Sequence, residues 1–354
     1  MAASASHGLR NYVIRRLLLM IPTMLGVTMA IFLICQFVPG GRIDQLVMQA
    51  DGAGGGGEGG GGGGSSSSRR SGEHLISAKD LAELNAYYGF DKPLPEQYFI
   101  YLKNLLRGDL GKSFSTSKPA TEVIAERLPI SLYYGLVTSI LTYLVCIPLG
   151  IMKAIRHHSF FDNATSVLIF AGYAVPGFAL GAVLLVFFSL RHDWFPLGGY
   201  KGENYDQLNT FARMKDIVHH SILPLICYMV GSFAFMTMLM KNSLLENMAA
   251  DYVRTALAAG LTRRRALFVH ALRNSLIPLA TSVGSEVMIV LTGSLLIERV
   301  FNIQGMGLLF YQSMQSRDFP VVMAGTVIGA ALLLIGNLIS DLAVASVDPR
   351  VRFE

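Results

Sequence analysis

The sequence predicts an all-α, polytopic membrane protein with six transmembrane helices. Three observations carry that prediction. Charged residues are 15% of the 354 and hydrophobic residues 52%, where soluble domains carry about 25% charged residues. Mean hydropathy is +0.46. The apolar residues gather into six stretches almost free of Asp, Glu, Lys and Arg, each near the ~20 residues that a helix needs to cross ~30 Å of hydrocarbon. At that length only helices satisfy their own backbone in lipid.

The stretches run in order. Arg16 to Arg42 encloses the first, and the basic residues before it make it an uncleaved anchor, since no small-x-small cleavage site follows. Arg127 to Lys153 encloses the second, Asp162 to Arg191 the third and Asp216 to Lys241 the fourth. Arg273 to Arg299 encloses the fifth, interrupted by Glu286 and ended by Glu298, and Asp318 to Asp341 the sixth. Gly172, Pro176, Gly177 and Gly181 in the third permit either a kink or close helix packing. An even number of spans puts both termini on one side. Arg10, Arg15 and Arg16, Lys153 and Arg156, the loop after Lys241, and Arg350 and Arg352 outnumber the basic residues of the short opposite loops, so both termini are expected inside.

The loops are less regular. Residues 52–72 are Gly/Ser-rich and read as a flexible linker without chemistry of its own. Apolar residues at helical spacing over 78–107, broken at Pro93 and Pro95, predict two short helices on the outer face. Gly111-Lys112-Ser113 resembles the end of a phosphate loop, but Leu106 stands where the first glycine belongs and no apolar strand precedes it. Cys35, Cys146 and Cys227 lie in apolar runs and read as small packing residues. His157-His158 and His219-His220 are adjacent pairs whose side chains diverge on a helix, so no metal site is expected. Neither HExxH nor GxSxG occurs, and no residue set points to catalysis.

The loop between the fourth and fifth spans is the most informative. Asp251 to Ala259 reads as a short helix carrying the small residues Ala256, Ala258 and Ala259. It stops at Gly260, because glycine takes the left-handed conformation that ends a helix. A basic helix beginning at Arg263-Arg264-Arg265 then feeds the fifth span. Small side chains let the first helix lie close against a partner surface.

This loop resembles the EAA-type coupling loop of ABC-importer permeases, above all the peptide/nickel branch, which reads "YVRTARAKGL…HALRNALIP". Leu257 and Ala259 stand where that branch has Arg and Lys, and Arg254 where the wider family has Glu. The resemblance extends over nearly the whole chain. It includes Tyr12 to Leu17, Tyr88 to Pro93, Gly108-Asp109-Leu110-Gly111, Gly293 to Glu298, Gly305-Met306-Gly307, Arg317 to Val321 and Asp348-Pro349-Arg350. The Gly-rich first loop and the C-terminal run Val347 to Glu354 are similar to the microcin C and oligopeptide, Yej-type, B-subunit group.

The resemblance implies a type I ABC importer permease fold in a bacterial inner membrane. It divides the chain into residues 1–38 (cytoplasmic tail and first span), 39–127 (large periplasmic loop), 128–345 (the other five spans, with a coupling loop at 241–275) and 346–354 (cytoplasmic tail). It implies alternating-access import of peptides or peptide-like conjugates, with dipeptide, glutathione or nickel as alternatives in the same family. Its implied partners are a second homologous permease, one or two cytoplasmic ATPases that hold ATP and Mg, and a periplasmic substrate-binding protein. Tyr252, Val253, Arg254, Thr255, Ala256, Ala258 and Gly260 are then the expected ATPase-coupling residues. Glu286, a charge near the middle of a span, has a pathway or a packing role, and Glu298 and Arg299 are candidates for an outer gate. An autonomous secondary transporter would favour inverted repeats and several intramembrane charges, which this sequence does not display.

Overall fold

A computed structural model describes the backbone of residues 2–37, 92–291 and 293–347, and the side chains of 10–37, 92–284 and 293–345. The Gly/Ser-rich segment 52–72, the first expected outer helix and the motif at Asp348 lie outside the described residues. The described chain divides into two compact units, one built from residues 1–24, 124–312 and 328–354, the other from 25–123 and 313–327. Every described element is helical apart from one isolated bridge between Lys112 and Pro119.

Helix α1 covers Ala2–Phe37, α2 Leu94–Leu106 and α3 Ala120–Ile155. Helix α4 (Phe160–Ala174) begins at Ser159, whose hydroxyl accepts from the Asp162 amide at 3.2 Å. After a break at Val175-Pro176 the chain resumes as α5 (Gly177–Leu184), which runs into a π-helical stretch, Leu185–Arg191. Helix α6 (Thr210–Ala249) is the longest at 40 residues and is capped by Asn209, which accepts from the Ala212 amide at 2.9 Å. Next come α7 (Asp251–Ala258) and α8, composed of Arg263–Arg265, the π-helical Ala266–Ala271 and Leu272–Ser275. The chain ends with α9 (Ile277–Leu291), α10 (Leu295–Val300), α11 (Met306–Gln315) and α12 (Phe319–Val347).

Four described helices are long and apolar enough to cross a membrane, namely Arg10–Phe37, α3, α6 and Phe319–Ala345. They coincide with the first, second, fourth and sixth predicted spans. The third span is α4 and α5, bent by 93°. Pro176 has no amide to donate, and the residue before a proline is pushed out of the helical region; Val175 sits at φ −92°, ψ 121°. The fifth span falls on α9, only 15 residues long, about 22 Å at 1.5 Å per residue. Helical hydrogen bonds through Leu276 join it to the end of α8 (Leu276 N to Leu272 O, 3.1 Å; Ala280 N to Leu276 O, 2.9 Å). Charge alone marked Arg273 to Arg299 as one window, whereas the backbone turns at Gly293, φ +79°.

In the larger unit, α3 and α6 run side by side in the same direction, with Cys146 facing the Phe233 carbonyl and Gly150 against Met240. A Cβ on Gly150 would sit 2.6 Å from Met240 Cβ and 2.9 Å from the Thr237 carbonyl, so this glycine sets the closeness of the two helices. One core lies at their N-terminal ends, around Tyr134, Leu223, Cys227, Phe301 and Ile303; a second lies at their C-terminal ends, around Ala154, Met240, Leu244, Val253 and Leu267. The three cysteines are buried and form no disulfide. In the smaller unit, Phe32, Cys35, Phe319 and Met323 form the core, with Tyr98 and Tyr101 packed against it. There Asp318 accepts from Ser113 Oγ and from the amides of Phe114 (3.0 Å) and Ser115 (3.3 Å), fastening the loop after α2 to the start of α12.

Candidate functional site

The loop after α6 forms the helix that its sequence predicts. Val253 is the single buried side chain of α7 and packs into the second core beside Leu244, Ala266 and Leu267. The others turn outward. Arg254 lies 3.5 Å from Asp251 in an exposed pair, Thr255 Oγ1 donates to the Asp251 carbonyl at 2.9 Å, and Ala256 is half-buried while Ala258 is exposed. Tyr252 is 40% exposed, and its hydroxyl donates to Asn247 Oδ1 at 2.6 Å, which steadies the corner between α6 and α7. The helix stops where glycine permits it. Gly260 has φ +89°, and the Leu261 amide returns to the Ala256 carbonyl at 3.2 Å, the closure expected of a left-handed cap. Thr262 then starts α8 by accepting from the Arg265 amide at 3.4 Å, and Arg263, Arg264 and Arg265 are all exposed. The result is a short helix held at one point, with Tyr252, Arg254, Thr255 and Leu257 presented outward.

Above this loop the structure assembles a group that spacing did not foretell. Asp162 at the start of α4 receives Lys241 Nζ from α6 on both oxygens, at 2.8 and 2.7 Å. Lys153 from α3 lies 3.1 Å from the same carboxylate. Its ammonium also donates to the Asp162 carbonyl, Thr165 Oγ1 and Ser166 Oγ, each at 2.8 Å. All three charged residues are buried; Lys153 has no exposed surface. His157 Nδ1 approaches the carboxylate at 3.2 Å. In the sequence these residues only mark where spans end; a charge at the boundary of an apolar window is the one signal that they give. The second histidine pair is occupied elsewhere, His219 at the Trp194 carbonyl (2.9 Å) and His220 at the Asp216 carbonyl (2.8 Å).

The two candidate gate residues have opposite surroundings. Arg299 is exposed, while Glu298 retains 1% exposure. The Glu298 carboxylate accepts from the Leu308 amide at 2.6 Å and the Gly307 amide at 3.3 Å, at the N-terminal turn of α11. A negative charge is favoured there by the helix dipole. Burial pushes this carboxyl above its ordinary value, and the Leu308 and Gly307 amides and the Arg127 charge pull it back. Gly293, Gly305 and Gly307 close around it, and a side chain on Gly293 would overlap both the carboxylate and the Gly307 amide. The side chain of Glu286, on α9, lies outside the described residues.

Comparison with known proteins supplies the context. Residues 146–353 match the family model described as a binding-protein-dependent transport system inner membrane component. A peptidoglycan transport system permease protein, YejB, from Agrobacterium fabrum is 39% identical over 97% of this chain and 98% of its own. The oligopeptide transport system permease protein AppB of Bacillus subtilis is 35% identical over 97% and 99%, and the dipeptide transport system permease protein DppB of Escherichia coli 32% over 97% and 98%. Among solved structures, inward-facing MetNI methionine ABC transporter aligns with TM-score 0.48 and 15% identity over 64% of this chain and 97% of that one. With its family model covering most of the chain and its relatives matched almost end to end, this multi-pass protein belongs to the inner-membrane components of binding-protein-dependent transport systems, the permease subunits of ABC importers.

Proposed function

We propose that this permease imports peptides or peptide-like conjugates, of the oligopeptide or microcin C kind, and that the stretch from Tyr252 to Gly260 docks on a cytoplasmic ATPase. The observation that carries the reading is α7 itself: a helix anchored by one side chain, Val253, with Tyr252, Arg254, Thr255 and Leu257 outward. The printed names of the relatives, which specify peptidoglycan, oligopeptide and dipeptide transport, support a peptide-like cargo. ATP and Mg belong to the ATPase subunits in this reading. A second permease of the same family and an outer substrate-binding protein complete the assembly, and both termini face the cytoplasm. Arg299 faces the binding protein, on a loop that Glu298 holds in shape. The alternatives within the family are dipeptide, glutathione and nickel.

Isolation of the chain from native membranes in mild detergent tests the assembly. A second permease and an ATPase are expected to accompany it, and a captured binding protein would narrow the cargo. Recovery of the chain alone, under conditions that preserve a known ABC importer, would overturn the proposal and favour an autonomous secondary transporter. Uptake of labelled oligopeptide by cells with and without the chain then separates peptide from nickel.

A further inference from the structure

We infer that Asp162, Lys153 and Lys241 are positioning residues for energy coupling: they fasten the inner end of α4 to α3 and α6, so that movement of α7 carries all three helices together. This rests on the ATPase-docking reading of α7.

Helix α6 is unbroken from Thr210 to Ala249, and one residue, Ala250, separates it from α7. A displacement of α7 therefore passes directly into α6. Helix α3 follows because it packs on α6 at Gly150 and Met240. Helix α4 also packs along α6, but it buries few side chains. Of its 15 residues only Asp162 and Ile169 are buried, while Phe160, Val167 and Leu168 are strongly exposed. The carboxylate of Asp162 is the charged attachment of α4 to its neighbours, and both cations on it come from other helices. The far end of α4 is the 93° break at Val175-Pro176, where the chain already changes direction. The charge cluster adds a directional tie, at the end nearest α7, to the packing of α4 along α6.

The charges are unequal, two cations to one carboxylate, and this ranks the substitutions. Loss of Asp162 leaves two buried ammonium groups unpaired, the costliest change for a buried ion. Loss of Lys241 leaves a balanced Lys153–Asp162 pair and all four Lys153 contacts, so folding survives, but α4 loses its bond to α6. Lys241→Met is therefore the informative variant, and Lys241→Arg restores a cation that grips a carboxylate with two donors.

The test uses the complete importer, with both permeases, the ATPases and the binding protein reconstituted in vesicles, and reads ATP hydrolysed per peptide taken up. Lys241→Met is expected to assemble normally, to keep hydrolysing ATP, and to raise that ratio roughly tenfold, the size of an ordinary coupling energy between sites. Lys241→Arg is expected to return it to near the unmodified value. An unchanged ratio in Lys241→Met, or a loss of assembly that Lys241→Arg repairs without any change in ratio, overturns the inference. If the unmodified complex shows no peptide-stimulated hydrolysis, the docking reading itself has failed, which is a separate result.

Discussion

The Tyr12 hydroxyl donates to Asp341 Oδ2 at 2.7 Å, closing a contact between residues 329 positions apart. Arg16 adds a second bond to the same oxygen at 3.0 Å, from a side chain 45% exposed. The N-terminal part of α1 and the C-terminal part of α12 are joined through this one carboxylate.

Removal of that contact is expected to loosen α1. Tyr12→Phe and Asp341→Asn should each lower stability by about 1 kcal/mol, the net worth of a partly exposed hydrogen bond to a charged group. Arg16→Gln should cost under about 1 kcal/mol, as exposed ion pairs do. The Tyr12→Phe/Asp341→Asn double variant should cost clearly less than the two separate losses combined. Thermal unfolding in detergent measures all four, and strict additivity would show that the bond contributes nothing.

Substitutions at the end of α7 are expected to separate transport from insertion. Proline fixes φ near −65°, whereas Gly260 stands at +89°, so Gly260→Pro should redirect the chain after α7 and abolish uptake. Gly260→Ala strains the same turn by roughly 1–2 kcal/mol and should leave partial uptake. Ala256→Glu places a charge at a half-buried position and should abolish uptake as well. Membrane levels of all three should match the unmodified chain. Peptide uptake alongside membrane immunoblotting decides the matter, and normal uptake by Gly260→Pro would refute ATPase docking through α7.

The Glu298 loop yields a graded series. Glu298→Gln keeps one accepting oxygen but turns an NH2 group toward the Gly307 and Leu308 amides, an expected cost of about 1–3 kcal/mol. Gly293→Ala combines a strained φ with overlap at the carboxylate, and should be the more damaging. Gly329→Ala, with open space around its Cβ, should stay within about 0.5 kcal/mol of the parent. Limited proteolysis across 293–307, with melting in detergent, would expose an inverted order if the loop is held by something else.

Much of the architecture was legible because bilayers impose a simple rule, a long run without charge. That rule located α1, α3, α6 and α12, and Pro176 marked the bend in the third span. Gly260 marked the end of α7 because only its backbone conformation mattered. The rule failed where charges change partners in space. Lys241 and Asp162 are 79 positions apart, and nothing in helical periodicity pairs the ends of two different spans. Glu298 illustrates the same gap. Its position at the outer end of a span suggests a gate, but the amides that bury it belong to Gly307 and Leu308, and a backbone donor leaves no trace in side-chain chemistry. The fifth span was overextended because a count of charges is blind to the turn at Gly293.

The single anchor of α7 also bears on how such a subunit diverges. Because Val253 alone seats the helix in the core, Leu257 and Ala259 sit on exposed ground, where the peptide/nickel branch carries Arg and Lys. Replacement there leaves the buried seat of α7 intact and changes only the exposed face of the helix. Under the proposed docking of α7, that face can change with the ATPase while the buried seat at Val253 stays as it is.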